Sequence, residues 1–212
     1  MKRAFTLIEL LIVIAIIAIL ALIAIPNFLE AQMRSKVSRC YADMRSIGTA
    51  IEAYMVDHNR LPLSMNSVRL AECMNPVMSG SDRQRNIWAQ SRLTTPVAYM
   101  SSILLNPFPL DKASFASMNY GDYYVYCDFP TPCILVYGQR AALTWPRMVA
   151  ERGIKWSLHS VGPSRFADDY FWNAMSGQTG NVSIYDPTNG VMSYGYITRT
   201  NKGELSMGDY RK

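Results

Sequence analysis

Signatures of catalysis and metal binding are what this 212-residue chain lacks. It has two histidines, His58 and His159, and neither lies in a nucleophile motif. No nucleophile elbow, phosphate-binding loop or glycine-rich dinucleotide fingerprint occurs. The four cysteines, Cys40, Cys73, Cys127 and Cys133, form no Cys-x-x-Cys pair, which makes metal the weakest use for them. Charged residues make up only 17%, and the formal charge of +5 is scattered rather than gathered into a patch. Composition therefore gives no ground for a nucleic-acid partner. There are no internal repeats and no low-complexity linker. These absences leave structural and binding roles ahead of an enzymatic one.

What is present begins at once. From Phe5 to Ile25 the chain is apolar except for Thr6 and one carboxylate, Glu9. At about 1.5 Å per residue, a helix of this length spans roughly 30 Å, the thickness of a bilayer's hydrocarbon core. A cleaved secretory signal has a shorter apolar stretch ending in a small-residue site, so this segment is expected to be kept. Glu9 is its anomaly, because a carboxylate at mid-membrane costs about 2.5–3.5 kcal/mol on insertion scales. It is either an interfacial carboxylate or one with a cationic partner. Lys2 and Arg3 are the nearest preceding cations, and a cut before Phe5 would create an α-ammonium at i and i+4 from it.

Pro26 follows directly and predicts a kink, since proline removes one helical hydrogen bond and crowds the preceding turn. Beyond it, Val37, Cys40, Tyr41, Met44, Ile47, Ile51, Tyr54 and Met55 recur at steps of three and four, an amphipathic helix with one buried face. Arg34, Lys36, Arg39, Asp43, Arg45 and Glu52 are assigned to the other face. Asn59 and Pro62 are expected to end it. The apolar half cannot be buried in its own domain, so it requires a bilayer or a bundle of like helices.

Leu61 to Pro109 is broken repeatedly by Pro, Ser, Asn and Gly, with short helical pieces expected around Val68–Met74 and Ser91–Leu105 and a helix start at Thr95-Pro96. Strands are predicted at Asp122–Cys127, Cys133–Gly138 and Ile154–Val161, the last ended by a Gly162–Arg165 turn. Ala141–Arg152 reads as a short, irregular helix. Gly180–Tyr185 and Val191–Thr198 read as a hairpin turned by Asn189-Gly190. One α+β unit follows: a long helix packed on an antiparallel sheet. Tyrosines cluster in the strands, either as the two faces of a sheet or as a stacking surface.

Lys2-Arg3-Ala4-Phe5-Thr6-Leu7-Ile8-Glu9-Leu10-Leu11 resembles the leader and first residues of the type IV pilin superfamily, which includes pilus subunits and the pseudopilins of type II secretion. The resemblance covers about the first 35 residues and extends loosely along the helix. It implies a leader, residues 1–4, cut between Ala4 and Phe5 by a membrane prepilin peptidase, with methylation of the new amine. The family usually has Gly where Ala4 stands, and Ala is its smallest side-chain replacement. Residues 5–25 would form the transmembrane and assembly helix, and residues 26–212 an exported globular domain. Glu9 would pair with a neighbouring subunit's terminus, and Pro26 would shape the helix within a filament.

The resemblance also sets the topology. Lys2 and Arg3 favour a cytoplasmic N-terminus, but Arg34, Lys36 and Arg39 beyond the span oppose that, so charge alone leaves orientation open. The pilin pattern places the C-terminal domain in the periplasm. Export permits disulfides, with Cys127–Cys133 preferred because the two flank Asp-Phe-Pro-Thr-Pro, and free buried thiols the alternative. The loop after Gly162–Arg165 corresponds to a calcium-binding loop of major pseudopilins. Asp168 and Asp169 are therefore possible calcium ligands, although solvated loop carboxylates are preferred and no cofactor is expected. The expected function is a non-enzymatic subunit of a type II secretion pseudopilus, supporting protein export. Its partners would be like subunits, other pseudopilins or minor pilins, the peptidase and an inner-membrane assembly platform. A type IV pilus subunit is the near alternative. A monomeric binding protein on an uncleaved anchor is a third reading, and Glu9 separates it from the others, because an anchor has no use for that carboxylate.

Overall fold

The structure is a computed structural model and describes residues 6–63, 82–109, 122–128, 153–165, 184–189, 193 and 195–204. One helix, α1, runs from Leu7 to His58. Its length of 52 residues makes it about 78 Å long. It passes through Pro26 without a break, so the expected site of distortion lies inside a continuous helix. It ends at Asn59, whose φ of 50° is the left-handed conformation that stops helices.

The two halves of α1 have opposite surroundings. Sixteen large apolar side chains between Leu7 and Leu29 are exposed, Leu7 at 86%. In the second half Val37, Cys40, Met44, Ile47, Ala50, Ile51 and Tyr54 are buried, the row that the three-and-four spacing predicts.

That row packs on a sheet with strand order β1-β2-β3-β4, comprising Val125–Asp128, Trp156–Ser160, Ile197–Thr200 and Gly203–Glu204. Every neighbouring pair is antiparallel, with Tyr126 opposite Leu158 and Leu158 opposite Arg199. The fold is thus α+β, a long helix on an antiparallel sheet. Alternation along the strands gives two faces. Tyr124, Tyr126, Trp156, Leu158, Ile197 and Arg199 fall on the side whose groups reach α1. Val125, Cys127, Ser157, His159, Thr198 and Thr200 fall on the other.

Polar groups assigned by sequence to the outer face of α1 in fact reach the sheet. The Tyr124 hydroxyl donates to Asp43 at 2.9 Å, the Trp156 indole donates to Glu52 at 2.7 Å, and Arg45 lies 3.3 Å from Glu204. Each sits at the border of the buried stripe, where a side chain can turn toward a partner in the sheet. A second helix, α2, spans Asp82–Ser91. It lies N-terminal to the helical piece expected at Ser91–Leu105, which instead forms turns and bends around a cis Thr95–Pro96 peptide. The hairpin expected across Asn189-Gly190 is likewise corrected. Ile184 and Tyr196 form a single parallel bridge, Pro187–Asn189 is a 3-10 turn, and the actual hairpin joins β3 to β4. The expected pieces at Val68–Met74, Cys133–Gly138 and Ala141–Arg152 lie outside the described residues.

Candidate functional site

The first candidate site is the start of α1. Thr6 is its N-cap, in an extended conformation. The Thr6 backbone N–H donates to Glu9 Oε2 at 2.8 Å, and the Thr6 hydroxyl donates to the same oxygen at 2.7 Å. In return Glu9 N–H donates to Thr6 Oγ1 at 3.3 Å. This is a capping box, in which a threonine and the glutamate three residues on satisfy each other's backbone amides. The sequence carried the signal: Thr6-Leu7-Ile8-Glu9 has the required spacing, read above only for the charge of Glu9. In the single chain, then, the carboxylate closes the helix's own first turn. The second carboxylate oxygen, Oε1, takes no part in these bonds. Ala4 and Phe5 lie outside the described residues.

The exposed half of α1 is the larger part of the site. Burying a large apolar side chain contributes about 1.5–3 kcal/mol, so sixteen of them represent a driving force of order tens of kcal/mol. Among the described residues nothing supplies that cover. This is the one helix among the described residues long and apolar enough to cross a membrane.

Charges gather just beyond it. Glu30 pairs with Arg34, and Arg39 lies 3.5 Å from Asp43, both at i and i+4. Tyr185 and Pro187 approach the same part of the helix and close a pocket of about 410 Å³ against Arg34, Val37, Ser38 and Tyr41.

The remaining candidates are structural where they are described. His58 Nδ1 lies 3.1 Å from the Tyr54 carbonyl, and its ring stacks on Tyr54 at 4.0 Å. His159 is buried on the face away from α1, with Nε2 2.7 Å from Ser157 Oγ and Nδ1 3.2 Å from Thr198 Oγ1. Burial pulls its pKa down to about 3. Cys40 is a fully buried thiol among the α1 contacts, and burial pushes its pKa up to about 11. Cys127 lies on the opposite face of the sheet. Its expected partner Cys133, and Cys73, lie outside the described residues, as do Asp168 and Asp169. Among the described residues no group of three or more His, Cys, Asp or Glu is placed to hold a metal ion. Of the strand tyrosines, Tyr124, Tyr126 and Tyr196 are buried, so they belong to the core rather than to a stacking surface.

Comparison with known proteins points to the same end of the chain. A family model described as the prokaryotic N-terminal methylation motif matches residues 1–25. The chain is 45% identical over 70 residues to the type IV major pilin protein PilA of Myxococcus xanthus, covering 33% of this chain and 32% of that protein. It is 49% identical over 57 residues to the type IV major fimbrial protein FimA of Dichelobacter nodosus, covering 27% and 36%. It is 35% identical over 68 residues to the competence protein ComGC of Halalkalibacterium halodurans, covering 32% of this chain and 67% of that protein. The chain thus matches about a third of the length of the first two relatives. No solved structure matches it.

Proposed function

This chain belongs to the type IV pilin superfamily, and from that premise we propose that it is a structural subunit of a helical filament, catalysing nothing itself. The observation that carries the reading is the divided helix α1. Its second half is built into the domain, while its first half exposes an unbroken apolar surface containing Glu9. Such a helix needs a bilayer before assembly and a bundle of like helices afterwards. Repeating one such contact head to tail gives an open helical array.

In this reading prepilin peptidase removes residues 1–4 between Ala4 and Phe5, and the new amine is methylated. Residues 5–25 anchor the subunit in the inner membrane, and residues 26–212 form the periplasmic domain. During assembly the Glu9 carboxylate, released from Thr6 or through its second oxygen, meets the terminal amine of a neighbour. An inner-membrane platform and minor subunits would complete the machinery.

The relatives are named as a type IV pilin, a fimbrial protein and a competence protein, which supports a pilus-type filament. The type II secretion pseudopilus is the second reading, supported by the four-stranded antiparallel sheet and by the turn after β2, where Gly162 and Arg165 adopt positive φ. Deleting the gene separates the two: loss of surface filaments with export intact supports the pilus, and a block in protein export supports the pseudopilus. The test of the class itself is the mass and N-terminal residue of the chain recovered from its own membranes. A chain starting at methylated Phe5 supports the reading. One still starting at Met1, in cells with active peptidase, overturns it.

A further inference from the structure

The pocket beside Arg34 stands at a definite height above the apolar span. Exposed apolar side chains continue from Leu7 to Leu29, about 34 Å of helix. Arg34 lies five residues further, about 7.5 Å along the axis. Counted from the middle of that span Arg34 stands about 24 Å along the axis, against a half-thickness of roughly 20–22 Å including headgroups, so its backbone lies at the outer edge of the headgroup layer and its long side chain reaches back into it. The inference rests on the membrane-anchored stage of the reading above.

The pocket's chemistry suits that layer. Val37, Tyr41, Tyr185 and Pro187 form an apolar and aromatic wall, with Arg34 and Ser38 supplying hydrogen-bond donors. Tyrosines are favoured where one end of a ring is apolar and the other wet. Leu29 is exposed, Met33 half-buried and Val37 buried, so the apolar surface of the span passes into the domain's core at the floor of the pocket.

Charges around the pocket leave Arg34 available. Its Nη2 pairs with Glu30, and a guanidinium has further N–H donors. Asp186 is the nearest carboxylate on the facing loop, but its Oδ1 accepts from both the backbone N–H and the hydroxyl of Thr188, at 2.8 and 2.6 Å. The field of Arg34 reaches the Tyr185 hydroxyl, where it opposes the upward push of burial.

We propose that the pocket lined by Arg34, Ser38, Tyr41 and Tyr185 binds the phosphodiester headgroup of a membrane phospholipid while the subunit waits in the bilayer. Arg34 holds the phosphate, Ser38 donates to it, and the acyl chains run down past Leu29 along the exposed apolar half of α1. This gives the basic residues beyond the span a use on the side of the membrane where charge bias alone would not put them. It also seats the domain at a fixed height above the bilayer.

The test uses the full chain reconstituted in nanodiscs containing phosphatidylglycerol, then released gently into detergent for native mass spectrometry. Wild-type chain is expected to retain one phospholipid. Arg34→Ala should lower the retained fraction roughly tenfold or more, the size of one lost charge-assisted contact. Arg39→Ala, whose guanidinium faces Asp43 one turn on, should retain the lipid as wild type does. Equal loss in both variants overturns the site in favour of diffuse attraction. Displacement of the lipid by millimolar inorganic phosphate overturns it in favour of a free-anion site. A stable dimer formed through these residues without lipid overturns it in favour of a second copy. Insertion into nanodiscs without lipid retention overturns the pocket alone, whereas failure to insert overturns the anchored stage and the pocket with it.

Discussion

The indole N–H of Trp156 donates to the carboxylate of Glu52 at 2.7 Å, joining β2 to α1 across 104 positions of sequence. The same ring lies over Gly48, where a Cβ would meet the Trp156 Cη2 at 2.9 Å. A glycine in mid-helix costs about 1 kcal/mol relative to alanine, so its place is decided by this close approach. The helix carries the exposed apolar surface and the sheet fixes the domain upon it. Their seam is therefore where a small change should be felt.

Gly48→Ala accordingly sets a gain in helix propensity against overpacking, which typically costs about 1–3 kcal/mol. The ring is buried and held by its bond to Glu52, so it cannot move freely aside. A net loss of about 1 kcal/mol is expected, and a larger one for Gly48→Val. Thermal melts of the full chain in detergent, followed by tryptophan fluorescence, measure it. A higher Tm for Gly48→Ala would show that the seam has slack.

Stability should fall on acidification through His159. Its pKa is about 3 when folded against an ordinary value of 6.5, so the unfolded chain binds a proton that the folded chain refuses between those values. The contribution is fully present above about pH 6.5, declines as pH drops and levels off below about 3. Between pH 7.5 and 5 this amounts to about 2 kcal/mol. His159→Gln, which keeps polar atoms near Ser157 and Thr198, should be less stable at pH 7.5 yet lose less on acidification. Urea titrations at several pH values decide, and parallel curves for the two proteins would remove His159 as the cause.

Cys40 should be inert. With its pKa near 11, about one thiol in a thousand is ionised at pH 8, and the sulfur has no exposed surface. Iodoacetamide at pH 8 should leave Cys40 unmodified in the folded chain and label it fully in urea, as read by peptide mass. Rapid labelling of the folded chain would mean that α1 lifts from the sheet.

How far sequence reaches into this fold depends on how local the signal is. The long helix and its buried row were legible because Val37, Cys40, Met44, Ile47 and Ile51 repeat at helical spacing within one segment. Trp156–Ser160 was legible from its alternation. Helix α2 was not, because Asn86 and Gln90 are buried there beside only the small Ala89 among its described side chains, and apolar periodicity cannot see an amide face. The β3–β4 hairpin escaped because Asn189-Gly190 is the stronger turn signal, while the turn actually used, at Asn201-Lys202, is held by its surroundings. The Asn201 side chain accepts from Lys155 N–H at 2.8 Å and donates to the Gly153 carbonyl at 3.1 Å, contacts that exist only after folding. At the candidate site Glu9 stood out by charge alone, and its bond to Thr6 needed the spacing rule as well.

Glu9 yields the prediction closest to function. Glu9→Ala removes the acceptor of the Thr6 N–H and hydroxyl, which costs the first turn about 1 kcal/mol or less, yet it also removes a charge from an apolar span. The chain should therefore remain in the membrane at wild-type level while filaments disappear. Thr6→Ala breaks the same capping box but leaves the carboxylate for a neighbour's amine, so it should assemble, at most several-fold less well. Sheared-filament yield against membrane-fraction yield measures both. Equal loss in the two variants would make the helix cap, and not the intersubunit charge, the requirement.

The last prediction concerns the side of β1 away from β2, which pairs with no further strand among the described residues, an arrangement open to pairing with another chain. Here Asn86 takes the place of a neighbouring strand. Its Nδ2 donates to the Tyr124 carbonyl at 2.7 Å, and its Oδ1 accepts from the Tyr126 N–H at 3.3 Å. Gln90 Nε2 also donates to the Tyr124 carbonyl, at 2.6 Å. Both amides are about 1% exposed, so a lost bond cannot be replaced by water. Asn86→Leu leaves the Tyr126 N–H without its acceptor and deprives the Tyr124 carbonyl of one donor, at a cost of about 1–3 kcal/mol. Asn86→Asp keeps the acceptor but sets a carboxylate against the Tyr124 carbonyl, and should recover part of its loss at acid pH, where a protonated acid can donate. Beyond lower stability, both should aggregate through β1 when the full chain is warmed in detergent. Light scattering alongside the melt reads this, and soluble, monomeric variants at equal loss of Tm would show that the edge is guarded by something other than Asn86.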